Sequence, residues 1–335
     1  MVVDGGRFLV TGGAGFIGSH LVDALLERGA ARVAVVDNFF LGKEENLSDA
    51  KRRYGDKLQV YREDAGELSA MSAVMEAEKP DVVFNLATKA LLYSFFNPAG
   101  ACRVNLDIAL ALGELLRKGA YGRLIHLSSS EVYGTAQYVP MDEHHPLLAE
   151  TSYAAGKAAA DLLLSSYVRM FGLDIVTIRP FNNYGPRQNE GALAAIIPLT
   201  LKRIRSCQSP VIQGDGKQTR DFIYVADTVA AILALSGRDD VRGQVFNLGS
   251  GRETSVEELI KAICQLADYH GPISYQPARP ADVRRHLAGI DSVRDLIGEP
   301  AKTNLLDGLG QTISWYMKRS QFDQLLSGNA DGSVT

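Results

Sequence analysis

Little in this 335-residue chain points away from a globular interior. It has only three cysteines, Cys102, Cys207 and Cys264. They are odd in number, far apart and without CxxC or Cys/His ligand spacing, which argues against a disulfide framework or a zinc site. No apolar run approaches the roughly 20 residues of a membrane span. The N-terminal MVVDGGRFLVTGG lacks the long apolar segment and small-residue cleavage site of a signal peptide. A strong charge of one sign is also missing. The formal balance is −4, so neither nucleic acid nor an anionic membrane is an expected partner, and any bound anion must be held locally. There is no internal repeat and no low-complexity tract. The adjacent His144 and His145 precede a proline in a loop and are expected to be exposed, so no metal is expected. What remains is a chain 46% hydrophobic, long enough to bury a large core, and best suited to a reducing cytoplasm.

Short β-branched runs alternate with helical patterns from the start. RFLVTG precedes FIGSHLVDALLERG, then come RVAVVDN, LQVYRED, DVVFNLA and RLIHLSS. Such alternation predicts right-handed crossovers and a doubly wound parallel sheet, and the near-continuous apolarity of each strand predicts cover on both faces. Beyond about residue 180 the pattern loosens into Asn-, Gly- and Pro-bearing loops, PFNNYGPRQNEG, QGDGKQTRD and QPARPADVRR. Helical stretches lie between them, near 191–206, 226–236, 255–268 and 307–320. The expected organisation is α/β. A dinucleotide-binding domain occupies 1–180, and a smaller substrate lobe occupies 181–325, with some of its chain returning to the first domain. The small polar residues of 326–335 predict a disordered tail.

TGGAGFIGSH, residues 11–20, lies between the first strand and the first helix. Gly13, Gly15 and Gly18 satisfy GxGxxG, and Gly12, Gly15 and Gly18 give the variant GxxGxxG. Glycines permit the tight turn and the close approach of backbone to pyrophosphate, while the helix N-terminus offers free N–H groups and partial positive charge. The second strand ends in VVDN, which puts Asp37 nineteen positions after Gly18. A carboxylate there binds ribose hydroxyls and repels a 2′-phosphate, so it selects NAD over NADP. Asp64, ending the third strand, serves either adenine or a helix start.

In TSYAAGKAAAD, Tyr153 and Lys157 stand four apart and share a helix face. Ser128, Ser129, Ser130 and Glu131 follow the strand RLIHL, and the C-terminal end of a parallel strand faces the ligand crevice. A phenol of pKa about 10 is a poor base, but a nearby ammonium can lower it by roughly 1 to 3 pH units. Tyr153 would then take a hydroxyl proton as hydride leaves the same carbon, with Ser129 bonded to the same oxygen and Lys157 also holding the nicotinamide ribose. Glu131 reads either as a base or as a salt-bridged anchor. The helices near 101–117 and 152–171 carry apolar or small residues on more than one face, a pattern shared by buried helices and by dimer interfaces.

TGGAGFIG, VVDN, SSSEVYG, YAAGK and RPFNNYGPRQ together resemble the extended short-chain dehydrogenase/reductases, the NAD-dependent nucleotide-sugar epimerase/dehydratase family. The likeness runs from about residue 7 to 320. It implies Ser129, Tyr153 and Lys157 as catalytic groups and a cofactor site formed by Gly12, Gly15, Phe16, Ile17, Gly18, Asp37, Asn38, Asp64, Ala65, Leu86, Ala87, Thr88, Tyr153, Lys157 and Pro180. It places Tyr93, Ser130, Asn182, Arg187, Arg220, Arg279 and Asp282 at the sugar nucleotide, and Ser94 next to Tyr93 is expected to face the sugar. Glu131 matches the glutamate of 4,6-dehydratases, although Ser130 stands where glucose-type dehydratases carry Asp, and Ala281 where glycine is more usual. The resemblance implies a homodimeric 4,6-dehydratase working through a transient 4-keto sugar. Alternatives are a 4-epimerase, a UDP-glucuronate decarboxylase, or a non-catalytic NAD-binding sensor, the last opposed by the presence of both Tyr153 and Lys157.

Overall fold

In the computed structural model, which describes residues 3–278 and 283–328, strands and helices alternate as the sequence pattern requires. The strands are β1 (Arg7–Thr11), β2 (Arg32–Val36), β3 (Leu58–Tyr61), β4 (Val82–Asn85), β5 (Arg123–Leu127), β6 (Ile175–Pro180), β7 (Asn182–Tyr184), β8 (Val211–Gln213), β9 (Thr219–Tyr224), β10 (Val245–Leu248), β11 (Glu253–Ser255) and β12 (Ser274–Gln276). The helices are α1 (Phe16–Glu27), α2 (Glu45–Tyr54), α3 (Leu68–Glu78), α4 (Pro98–Arg117), α5 (Ser152–Phe171), α6 (Ile196–Arg205), α7 (Val225–Ser236), α8 (Val256–Leu266), α9 (Asp291–Ile297) and α10 (Leu305–Gly328).

Seven strands form one parallel sheet in the order β10-β6-β5-β4-β1-β2-β3. The order reverses between β1 and β4, and the crevice above that switch point is where a doubly wound sheet binds its ligand. Alternation along the strands divides the core in two. Phe8, Val10, Val35, Phe84 and Ile125 face one side with α1 and α7, while Leu9, Val36, Val83 and Leu124 face the other with α3, α4 and α5. The return of chain expected from beyond residue 180 consists of α7, which packs on α1, and β10, which pairs in parallel with β6.

The smaller lobe has its own core, built from Tyr184, Leu201, Phe222, Leu259, Ile313 and Tyr316. It holds two short sheets, β11-β9-β7 and β12-β8. The last helix runs to Gly328, three residues into the segment 326–335 expected to be disordered. No helix among the described residues is long and apolar enough to cross a membrane.

Two expectations of exposure and apolarity are corrected. His144 is exposed, but His145 is 2% exposed: its Nε2 accepts from the Gln137 N–H at 3.0 Å and its ring packs on Tyr133 and Tyr138. The aromatic neighbours, too distant in sequence to be read from the dipeptide, draw the ring inward. RLIHL, read as an apolar strand, is wholly buried yet contains Arg123, which donates to Asp174 and to the Ser236 carbonyl, and His126, whose Nδ1 is bonded to Asn85 while Nε2 has no hydrogen-bond partner.

Candidate active site

Two adjoining cavities lie above the carboxyl ends of the sheet strands. The first has a volume of about 380 Å³, the second about 590 Å³, and both are lined by Ala90, Leu193 and Ala195, where they meet. Every residue assigned above to the cofactor lines the first cavity.

The floor of that cavity shows why glycine is needed. Gly12 has φ +68°, and a Cβ there would lie 2.8 Å from the Ala87 backbone nitrogen. A Cβ on Gly18 would lie 2.2 Å from the Gly12 carbonyl oxygen, so the first turn of α1 packs directly on the loop. Past this turn Asp37 leaves the end of β2, 8% exposed, and accepts from the N–H groups of Ala14 at 3.0 Å and Phe39 at 2.8 Å. Burial pushes its carboxyl upward and those two N–H groups oppose the shift. Each carboxylate oxygen has a second lone pair for a ribose hydroxyl. Asp64 does not cap α3 by a side-chain bond. It accepts from Gly66 N–H at 2.9 Å and from Asn38 Nδ2 at 3.1 Å, which ties the loops after β2 and β3 together at the cavity wall. Glycine cradle, helix N-terminus and strand-end carboxylate together fit a dinucleotide.

Ser129, Tyr153 and Lys157 line the same cavity at its inner end. Thr151 caps α5 by accepting from Ala154 N–H at 3.2 Å, and Ser94 Oγ accepts from the Tyr153 N–H at 2.9 Å. Ser94, expected to face the sugar, thus anchors the helix start that presents the phenol. Tyr153 is hydrogen-bonded to the hydroxyls of Ser129 and Thr88, which lower its pKa, but burial dominates and pushes it up to about 12. The expected lowering by Lys157 is corrected here, because the ammonium is directed elsewhere. Lys157 Nζ donates to the Leu127 carbonyl at 2.7 Å, and burial brings its pKa down to about 8 against the opposing charge of Asp161.

The second cavity collects Glu131, Asn182 and Arg220 from three different elements. Glu131 lies in the helical turn Ser130–Tyr133 that follows β5, and the Glu131 N–H donates to Ser129 Oγ at 3.2 Å. The remaining substrate assignments fare differently. Ser130 is 3% exposed and lines neither cavity, because the tight turn points it inward. Tyr93 lines neither; its ring packs on Phe40 with centroids 5.3 Å apart, and its hydroxyl accepts from Asn97 Nδ2. Arg187 lines the first cavity instead of the second, drawn toward α1 by an ion pair with Asp23 at 2.7 Å. Arg279 and Asp282 lie outside the described residues, as does Ala281.

Sequence reasoning missed several wall residues. Arg203 on α6 lines the second cavity beside Gln213, Gln218 and Gln276, while Phe95 and Phe96 border its mouth, Phe96 being 74% exposed. An arginine in a helix and glutamines on or just before short strands carry no motif. Gly42 was also missed: a Cβ there would lie 2.7 Å from both carboxylate oxygens of Asp37.

Residues 9–312 match the family described as GDP-mannose 4,6 dehydratase. The chain belongs to that family. Among its relatives, the UDP-glucose 4-epimerase of Mycolicibacterium smegmatis is 33% identical over 317 residues, covering 94% of this chain and all of the relative. The dTDP-glucose 4,6-dehydratase of Xanthomonas campestris pv. campestris (strain B100) is 31% identical over 350 residues, covering 97% and 96%. A solved structure of dTDP-glucose 4,6-dehydratase from Streptomyces venezuelae with NAD bound superimposes with a TM-score of 0.88 at 26% identity, covering 94% and 98%. GDP-mannose dehydratase family members of this kind are NAD-dependent nucleotide-sugar enzymes, which agrees with the cofactor read from Asp37.

Proposed function

We propose that the chain is an NAD-dependent nucleotide-sugar 4,6-dehydratase. The observation carrying this reading is Glu131, a carboxylate two residues beyond Ser129 that lines the second cavity while Ser129 and Tyr153 line the first. Asn182 and Arg220 suit a sugar diphosphate in that second cavity, the guanidinium offering charge-assisted bonds to phosphate oxygens. NAD, held by the glycine cradle and Asp37, would supply a hydride acceptor for C4 of the hexose and a hydride donor for C6. Tyr153, with Ser129 beside it, removes the C4 hydroxyl proton. The resulting ketone acidifies the C5 hydrogen, which Glu131 takes as a proton and passes to the departing C6 hydroxyl, so that it leaves as water; as hydride adds to C6, C5 takes up the proton that Tyr153 removed from the C4 hydroxyl. C4 is oxidised and C6 reduced, so the net change is loss of water.

Epimerisation at C4 is the second reading. It is favoured by Ser130, which brings no second carboxyl to Glu131 and is turned away from both cavities. Incubation with UDP-, dTDP- and GDP-hexoses and UDP-glucuronate, followed by product mass, separates the readings. Loss of water is expected. An isobaric product of altered stereochemistry identifies the epimerase, and loss of carbon dioxide the decarboxylase; either overturns the dehydratase. We further infer a cytoplasmic homodimer formed through α4 and α5, supported by the exposed Leu110, Leu162, Met170 and Phe171 on these helices and by the absence of any cysteine pairing among the described residues.

A further inference from the structure

Behind Tyr153 and Lys157, between the sheet and α5, lies a chain of buried polar groups that neither the cofactor site nor the substrate site uses. Its members come from four elements: Thr11 (β1), Asn85 (β4), His126 (β5) and Asp161 (α5), with Arg179 of β6 closing the far end. His126 is 1% exposed and Asp161 5% exposed. Buried ionic groups in this number cost stability unless paired, so their arrangement calls for a reason.

The direction of the chain can be read from its donors. Ala87 N–H donates to Thr11 Oγ1 at 3.3 Å, and Thr11 Oγ1 donates to Asn85 Oδ1 at 2.8 Å. The Asn85 amide must then present its Nδ2 to His126 Nδ1, 2.9 Å away. An amide nitrogen only donates, so Nδ1 accepts and the ring proton sits on Nε2. That N–H lies 3.6 Å from Asp161 Oδ1, a charge–dipole contact longer than a hydrogen bond, and Arg179 Nε donates to the other carboxylate oxygen, Oδ2, at 2.9 Å. Burial keeps His126 neutral, so the dipole it turns on Asp161 is a donor. Asp161 is one turn beyond Lys157 on α5, on the same face.

We propose that Asp161 is a positioning residue for the reaction: oriented and held anionic by Arg179 and the Thr11–Asn85–His126 chain, it keeps Lys157 an ammonium beneath Tyr153. The charged and titratable groups facing Lys157 are Tyr153 and Asp161 from its own helix and His126 from β5, with Arg179 of β6 behind the carboxylate. Of these only Asp161 favours the charged amine, against a burial that disfavours it. The Leu127 carbonyl, accepting from Nζ, holds the amine in place but supplies no charge. The inference rests on the proposed function only in that Tyr153 takes the C4 hydroxyl proton there, with Lys157 lining the same cavity.

The test is the protonation of Lys157 itself, read by competitive acetylation with acetic anhydride across pH and mass spectrometry of the peptide carrying residue 157. In the parent, labelling should have its midpoint near 8. In Asp161→Asn the midpoint should fall by about 1 pH unit or more, the alkaline limb of kcat/KM should fall with it, and Asp161→Glu should restore both. Asp161→Asn leaves Arg179 buried without its partner, so the double variant Asp161→Asn/Arg179→Gln, which strands no charge, is measured alongside it. A midpoint that stays in place in whichever of these folds overturns the proposal and leaves Asp161 a purely structural ion pair. Labelling needs no turnover, so its outcome stands apart from the dehydratase reading, which product mass decides.

Discussion

At the scale of single residues, the division of labour between Tyr153 and Glu131 makes separable predictions. Tyr153→Phe removes the phenol oxygen assigned to accept the C4 hydroxyl proton, and turnover should drop by about 10²- to 10⁴-fold while NAD binding, measured by calorimetry, is retained. Glu131→Gln keeps the shape of the second cavity and removes the base for C5. Loss of water should fall by a factor of about 10² or more while C4 oxidation persists, visible as reduced nicotinamide absorbance on adding substrate. Water loss at the parental rate would remove Glu131 from the mechanism. Gly42→Ala would bring a methyl group to 2.7 Å from the Asp37 carboxylate. It should weaken NAD binding by about tenfold, equivalent to about 1.4 kcal/mol, without altering the melting temperature, since Gly42 lies in a loop.

At the scale of elements, the placement of Tyr153 and Lys157 depends on how closely α5 lies against α4. The contact is closest at Gly156, where a Cβ would be 2.4 Å from the Cys102 carbonyl oxygen. The small residues of YAAGKAAAD pointed to close packing, but they did not distinguish the alanine that is exposed, Ala155, from the glycine on which the helix pair depends. Gly156→Ala forces the helices apart or strains them and should destabilise the protein by about 1–3 kcal/mol, read from chemical denaturation. A shift of α5 also moves the phenol, so kcat should fall more than the stability loss alone accounts for. The same element shows how local sequence can mislead. Lys157 was expected to act on Tyr153 because four residues separate them, yet its ammonium is directed to β5, through Leu127.

At the scale of the whole molecule, buried histidines predict the response to acid. Burial lowers both His20 and His286 to about 4 from an ordinary value near 6.5. Between those values the unfolded chain takes up protons that the folded chain does not. Stability should therefore decline as pH falls from about 6.5 toward 4, by up to about 1.4 kcal/mol per pH unit for each histidine, and level off below. Denaturation midpoints measured across that range check it: a flat profile would contradict the buried, neutral state of these rings. His20→Gln should reduce the slope, since it removes one ring held neutral by burial and, secondly, by the Arg187 charge.

The sequence alone determined the doubly wound sheet, the glycine cradle, Asp37 and the Tyr153/Lys157 pair. Each of these is local: periodicity sets the strand and helix, a short turn demands glycine, and four residues make one helical turn. The residues assigned to the cofactor were legible for that reason, since, Tyr153 and Lys157 apart, they lie at strand ends and in the turns directly after them, whereas Gly42 and the α4 residues Val104 and Ile108, which line the same cavity, were not. The second cavity was not, because its walls come from α6, β8, β9 and β12, brought together only by packing of the smaller lobe. Tertiary structure alone decided that Arg187 turns to Asp23, that Tyr93 leans on Phe40, that His145 is buried, and that Thr11, Asn85, His126 and Asp161 meet behind the site. Except at His145, whose partners lie 7 to 12 positions away, those contacts join residues far apart in the chain, and no spacing within one segment carries them.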